Sequence, residues 1–127
     1  MPAPFSLGPI GQVSLTVDSI DTAIPFYRDV LGIKHLYTFG NLSFFDCDGT
    51  RLFLTAASDE AHDSQHSVIY FKVPNIFDAH EVLAGRGVPF EGAPHMIHRH
   101  DDGTEEWMAF FKDPAGNLIA IMAQAQP

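Results

Sequence analysis

The chain has 127 residues, 46% of them hydrophobic, and a formal net charge of −9 from 16 acidic and 7 basic side chains. This length suits one compact domain, and the acidic balance argues against nucleic acid as a partner, because phosphate backbones would be repelled. No apolar run is long enough to cross a bilayer, and the first residues lack the pattern of a signal peptide. A single cysteine, Cys47, excludes an internal disulfide and fits a cytoplasmic location.

The first half of the chain predicts one strand, one helix and three further strands. The strand begins at Gln12 and leads into a helix whose apolar residues recur at helical spacing from Ile20 to Leu31, with Gly32 as the stop. Alternation then predicts strands at Lys34–Phe39, Leu42–Cys47 and Gly49–Leu54.

The second half repeats this order. A strand from Val68 leads to a helix with Asn75 as N-cap, Asp78 as its capping partner and Gly87 as the stop. Further strands are predicted at His95–Arg99, Glu105–Lys112 and Gly116–Ile121. The sequence therefore predicts a single α+β domain over 1–127, made of two βαβββ modules at about 10–56 and 67–123 that are joined by a linker at 57–66.

Alternation also separates the two faces of the predicted strands. One face is uniformly apolar and is expected to lie under the helices. The other face mixes polar, aromatic and small side chains, among them Gln12, Phe53, Tyr70, Lys72 and Ala120. We interpret this second face as a concave ligand-lining surface, or cup, and a subunit interface is the alternative.

Two motifs carry a resemblance to a known family. They are "IGQVSLTVDSIDTAIPFYRDVLGI", Ile10 to Ile33, and "FFKDPAGNLIAIM", Phe110 to Met122. The chain resembles the vicinal oxygen chelate superfamily, which includes glyoxalase I, bleomycin-resistance proteins and extradiol dioxygenases. The resemblance implies a curved mixed sheet with a ligand cup, helices on the outer face and assembly as a homodimer.

The resemblance also implies four metal-ligand positions, one on the first and one on the last strand of each module. They correspond here to Gln12, Phe53, Val68 and Ala120. Only Gln12 offers a donor atom, because phenyl and aliphatic side chains cannot coordinate a metal. No cofactor is therefore expected, and a divalent metal would require a non-standard site.

The stretch "PHMIHRH", 94–100, precedes a turn signal at Asp102-Gly103. A two-residue turn there pairs Arg99 with Glu106 and His98 with Trp107. The resemblance places Phe110 in the cup. Together these two points predict that His95, Arg99 and Glu106 face the cup and that His98 packs beside Trp107 on the reverse face.

The leading interpretation is a glyoxalase/bleomycin-resistance-like protein that binds a small organic molecule without the usual metal. The residues expected to line its cup are Gln12, Phe44, Phe53, Tyr70, Lys72, Met108, Phe110 and Ala120. The alternative is an enzyme of the same superfamily, of the lyase, isomerase or dioxygenase type. It would use His95 or Glu106 as a base with Arg99 as anion stabiliser, or a non-standard metal site.

Overall fold

The computed structural model describes residue 5 and residues 9–56 and 67–126, so the predicted linker at 57–66 lies outside the described residues. The first module consists of β1 (Gln12–Val17), α1 (Ile20–Pro25) with a π-helical continuation (Phe26–Val30), β2 (Lys34–Phe39), β3 (Leu42–Cys47) and β4 (Thr50–Ala56). The second consists of β5 (Ile69–Lys72), α2 (Ile76–Gly85), β6 (His95–Arg99), β7 (Glu105–Lys112) and β8 (Leu118–Ala125).

The strands form two four-stranded mixed sheets of the same topology. The first sheet has the order β1-β4-β3-β2 and the second the order β5-β8-β7-β6. In each sheet the first strand runs parallel to the last strand of its module, and the other neighbouring pairs are antiparallel. The prediction of an α+β fold made of two βαβββ modules is confirmed.

The second helix begins at its predicted cap, Asn75, and the first begins after Ser19, whose hydroxyl oxygen accepts from Thr22 N at 3.4 Å. Asn75 Oδ1 accepts hydrogen bonds from the amides of Phe77 and Asp78 at 3.0 Å, which satisfies two N–H groups that have no partner within the helix. The first helix changes to π geometry directly after Pro25, a residue that lacks an N–H to donate. Within this π-helical turn, Leu31 N donates to Phe26 O, five residues earlier, at 2.9 Å, whereas an α-helical amide donates to the carbonyl four residues earlier.

One hydrophobic core joins the two modules. It includes Leu54 of the first sheet and Ile119 of the second, which are both fully buried. Tyr27 is also fully buried, and its hydroxyl donates to Asp113 Oδ2 of the other module at 2.7 Å. A second hydrogen bond runs from the second module to the first, because Asn117 Nδ2 donates to Thr16 O at 2.7 Å. These polar contacts fix the position of one module against the other.

Within the described residues, no helix has the length and apolar character needed to cross a membrane.

Candidate functional site

The face of each sheet that points away from the core is called the open face here. On the first sheet it carries four stacked aromatic rings, the aromatic row, which consists of Tyr37, Phe39, Phe44 and Phe53. Phe44 is directly opposite both Phe53 and Tyr37 in the strand register, so these three rings share one row across the sheet. Neighbouring ring centroids in the row lie 4.8–6.0 Å apart, with interplanar angles of 6–27°.

The aromatic row includes two residues that the sequence-based site did not contain. Tyr37 and Phe39 remain 45% and 58% exposed, although they are large apolar side chains. The sequence feature that could have identified them is the alternation within the strand predicted at 34–39, which places both side chains on one face and Thr38 on the other. Gln12, the remaining predicted residue of this sheet, also belongs to the open face.

The open face of the second sheet carries the other predicted lining residues. Tyr70, Ala120 and Phe110 are neighbours in the strand register, and the row beside them holds Lys72, Met122, Met108 and His95. The Phe110 ring contacts Tyr70 edge-on at 6.0 Å and stacks with His95 at 5.9 Å between centroids. The predicted residues thus lie in two groups, one on each sheet.

The register predicted for the β6–β7 hairpin is wrong. The loop has three residues instead of two, because His100 N donates to Thr104 O at 2.8 Å and closes the loop around Asp101–Gly103. Gly103 adopts a positive φ of 91°, and Asp102 Oδ1 accepts from Thr104 N, as expected for a three-residue hairpin with glycine at the left-handed position. A bulge at Ile97 then shifts the register again.

These two shifts change which side chains face the open side. His98 lies opposite Glu106 and therefore on the open face, so its predicted packing beside Trp107 is wrong. Arg99 lies opposite Glu105, and its Nε donates to that carboxylate at 3.0 Å on the reverse face. The prediction that Arg99 points into the cup is therefore also wrong.

Glu106 is the centre of a small polar cluster on the open face. Its Oε2 lies 2.7 Å from His100 Nε2 and accepts a hydrogen bond from Gln124 Nε2 at 2.7 Å. The His98 and His100 rings meet edge-on at 4.7 Å between centroids. The hydrogen bond with His100, followed by that from Gln124, holds the pKa of the Glu106 carboxyl below its usual range. Glu106 is thus an ionised hydrogen-bond acceptor at neutral pH.

The four positions at which the family resemblance implies metal ligands do not carry the donor atoms of a metal site. Phe53, Val68 and Ala120 have no donor atoms, and Gln12 has Arg51 as its neighbour on β4. Across the described part of the chain, no group of three His, Cys, Asp or Glu side chains is arranged to hold a metal ion. The residues present therefore do not fit a divalent metal at the usual position.

A cavity of about 1130 Å³ is lined by residues of both modules. Its charged and polar lining includes Lys34, Asp46, Asp48, Arg51, Tyr70 and Lys72, and Cys47 is also part of its wall. Arg51 connects the cavity with the aromatic row, because its guanidinium carbon lies 5.7 Å from the centroid of the Phe44 ring. Burial and then the neighbouring Asp46 charge raise the pKa of the Cys47 thiol.

Comparison with known proteins gives consistent matches. Residues 9–121 match the Glyoxalase/Bleomycin resistance protein/Dioxygenase superfamily. A Bacillus subtilis (strain 168) protein, "Uncharacterized protein YraH", is 26% identical in an alignment 127 positions long, which includes 87% of this chain and 94% of that protein.

Two solved structures illustrate the likeness in fold. The lactoylglutathione lyase from Agrobacterium tumefaciens has a TM-score of 0.72 at 23% identity, covering 92% of this chain and 94% of its own. The glyoxalase/bleomycin resistance protein/dioxygenase from Alicyclobacillus acidocaldarius also has a TM-score of 0.72, at 19% identity, with 91% and 90% covered. At these identities the likeness shows a shared fold and does not transfer an activity.

Proposed function

Because the chain belongs to the Glyoxalase/Bleomycin resistance protein/Dioxygenase superfamily, we propose that it binds a small planar organic molecule on its open face, without the usual metal. The observation that carries this proposal is the aromatic row, with Tyr37 and Phe39 exposed to solvent. Exposed apolar surface of this kind marks a binding site more often than a plain solvated surface.

The geometry of the aromatic row favours a planar ligand. The Tyr37 and Phe39 rings are nearly parallel, at 6°, so one more flat ring can extend the stack without moving a side chain. Such a stacked contact contributes about 0.5–1.5 kcal/mol beyond the area that it buries. Arg51, which lies beside Phe44, and Tyr70, which lines the same cavity as Arg51, would supply hydrogen-bond donors that orient the ligand.

We propose further that two chains form a homodimer in the cytoplasm. The outer strands β2 and β6 have open edges and carry exposed apolar side chains outside the aromatic row, including Leu36 and Ile97. Unprotected edges with such side chains favour association. A second chain near this edge would also shield a bound ligand from water. The lone free thiol at Cys47 is consistent with a reducing compartment.

The binding experiment uses 2-naphthamide, a neutral planar probe, and follows backbone amide shifts by NMR. We expect saturable shifts at residues of β2–β4, and Phe39→Ala should weaken binding about tenfold, which corresponds to about 1.4 kcal/mol. Phe77→Ala is the matched control, because Phe77 is similarly exposed at 53% but lies on α2. Equal losses in the two variants, or no saturable binding, would contradict the proposal.

A second candidate function is proton-transfer catalysis on the bound molecule. The observation in its favour is the His100–Glu106 pair, with Nε2 and Oε2 2.7 Å apart on the open face. A carboxylate in this position orients the imidazole as a general base, whereas the lowered pKa of Glu106 makes the carboxylate itself a weak base. Glu106→Gln separates the two functions. If the protein only binds its ligand, the variant keeps the probe affinity and neither form turns the ligand over. If it is an enzyme, the variant keeps the affinity and loses turnover.

A further inference from the structure

The seven basic side chains of this chain divide into two groups. Four of them have partners: Arg28 pairs with Asp29, Arg99 with Glu105 and Lys112 with Glu91, and Arg86 donates to Val30 O. The other three are Lys34, Arg51 and Lys72, whose charged groups neither pair with a carboxylate nor donate to a backbone carbonyl among the described residues. Carboxylates outnumber basic groups by 16 to 7, so the lack of an acidic partner at these three is not explained by a shortage of acids.

All three of these cations line the same cavity between the modules. Lys34 and Arg51 come from the first module and Lys72 comes from the second. Two carboxylates, Asp46 and Asp48, also line the cavity, which leaves it with a formal charge of +1 in a chain of −9. Three of the seven basic side chains therefore lie where the two modules meet, and the described lining of this cavity carries a net positive formal charge.

The acidic neighbour forms no ion pair with the two cations beside it. Asp46 is directly opposite both Lys34 and Arg51 in the register of the first sheet. Its Oδ1 instead accepts a hydrogen bond from the Gly49 amide at 2.9 Å and holds the β3–β4 turn. Arg51 lies over the Phe44 ring, so its donors remain available to a group that enters the cavity.

We infer that this cavity binds an oxyanion, a carboxylate or a phosphate group, at one end of the planar ligand. Arg51 presents the planar fork of donors that matches such groups, and Lys72 and Tyr70, which carry an ammonium and a phenol, line the same cavity. The link between the anion and a planar ring rests on the proposed function, but the anion site itself stands on the three cations alone.

The experiment compares four probes by the same NMR titration: 2-naphthamide, 2-naphthoate, 2-naphthyl phosphate and inorganic phosphate alone. We expect at least one of the two anionic naphthyl probes to bind about tenfold tighter than the neutral amide. The stronger of the two identifies the oxyanion. Inorganic phosphate should shift the amides around Arg51 and Lys72 at millimolar concentration, and added salt should weaken the binding of the anions but not of the amide.

Lys72→Gln is the test variant, because Lys72 is exposed and does not touch the aromatic row. It should weaken the binding of the anionic probes more than that of 2-naphthamide, so that most of the preference for the anion is lost. Lys112→Gln makes the same change of charge at an exposed lysine outside the cavity and should change neither.

The outcomes separate the two proposals. If 2-naphthamide fails to bind while phosphate binds in a Lys72-dependent manner, the proposed function fails and the anion site stands. If the amide binds but neither anion binds more tightly and phosphate causes no shifts, the anion site is refuted alone. Equal effects of the two lysine variants would also refute the anion site, because anion binding would then depend on the net charge of the protein and not on the cavity.

Discussion

Replacing Tyr27 by Phe tests the contact that fixes the two modules together. The change removes one hydroxyl from a fully buried side chain and leaves the ring in place. The lost hydrogen bond, 2.7 Å to Asp113, has an acceptor with formal charge, and such bonds contribute about 1.5–3 kcal/mol. The Asp113 carboxylate keeps three other donors, from Ala115 N, Asn117 N and Asn117 Nδ2. We therefore expect a loss near the middle of that range, about 2 kcal/mol in the free energy of unfolding.

Urea denaturation followed by circular dichroism measures this loss. For a small protein, about 2 kcal/mol lowers the urea midpoint by about 1 M. Tyr37→Phe is the control, because the same atom is removed from an exposed tyrosine, and a change below about 0.5 kcal/mol is expected there. If the two variants lose the same stability, the buried contact does not hold the modules and the reasoning is wrong.

Three further predictions concern metal content, assembly and thiol reactivity. Elemental analysis of gently purified protein should find far less than one equivalent of zinc, nickel, iron or manganese, because three of the four usual ligand positions have no donor atoms; one equivalent that is lost in Gln12→Ala would contradict this. Light scattering at micromolar concentration should give twice the 14.0 kDa of one chain, and a constant 14.0 kDa would exclude the dimer. Burial and then the Asp46 charge raise the pKa of the Cys47 thiol, so its alkylation by iodoacetamide should reach half-maximal rate at a higher pH than that of a free thiol. Asp46→Asn should bring this half-maximal pH only part of the way back, because burial is the larger cause. A pH profile equal to that of the free thiol would contradict it.

Most of the fold could be predicted because it depends on local periodicity. The strands at Lys34–Phe39, Leu42–Cys47 and His95–Arg99 have the predicted bounds, since alternation and turn residues delimit them directly. The helix starts follow from capping side chains, as at Asn75. The second helix ends at Gly85, two residues before the predicted stop at Gly87, which has a positive φ.

The candidate site was less predictable, because it depends on register. A loop of three residues where two were expected, followed by one bulged residue at Ile97, was enough to exchange His98 and Arg99 between the faces. Asp-Gly is compatible with both loop lengths, and nothing in the local pattern signals the bulge. Glu106, Met108 and Phe110 share one face of β7, as alternation along the strand predicts.

The measurement that tests the central claim most directly is a crystal structure of the protein soaked with 2-naphthoate. The proposals predict the naphthyl ring stacked against Tyr37 or Phe39 and the carboxylate within hydrogen-bond distance of Arg51 or Lys72. An aromatic row covered by other side chains, or a probe bound elsewhere in soaked and co-crystallised forms alike, would contradict them.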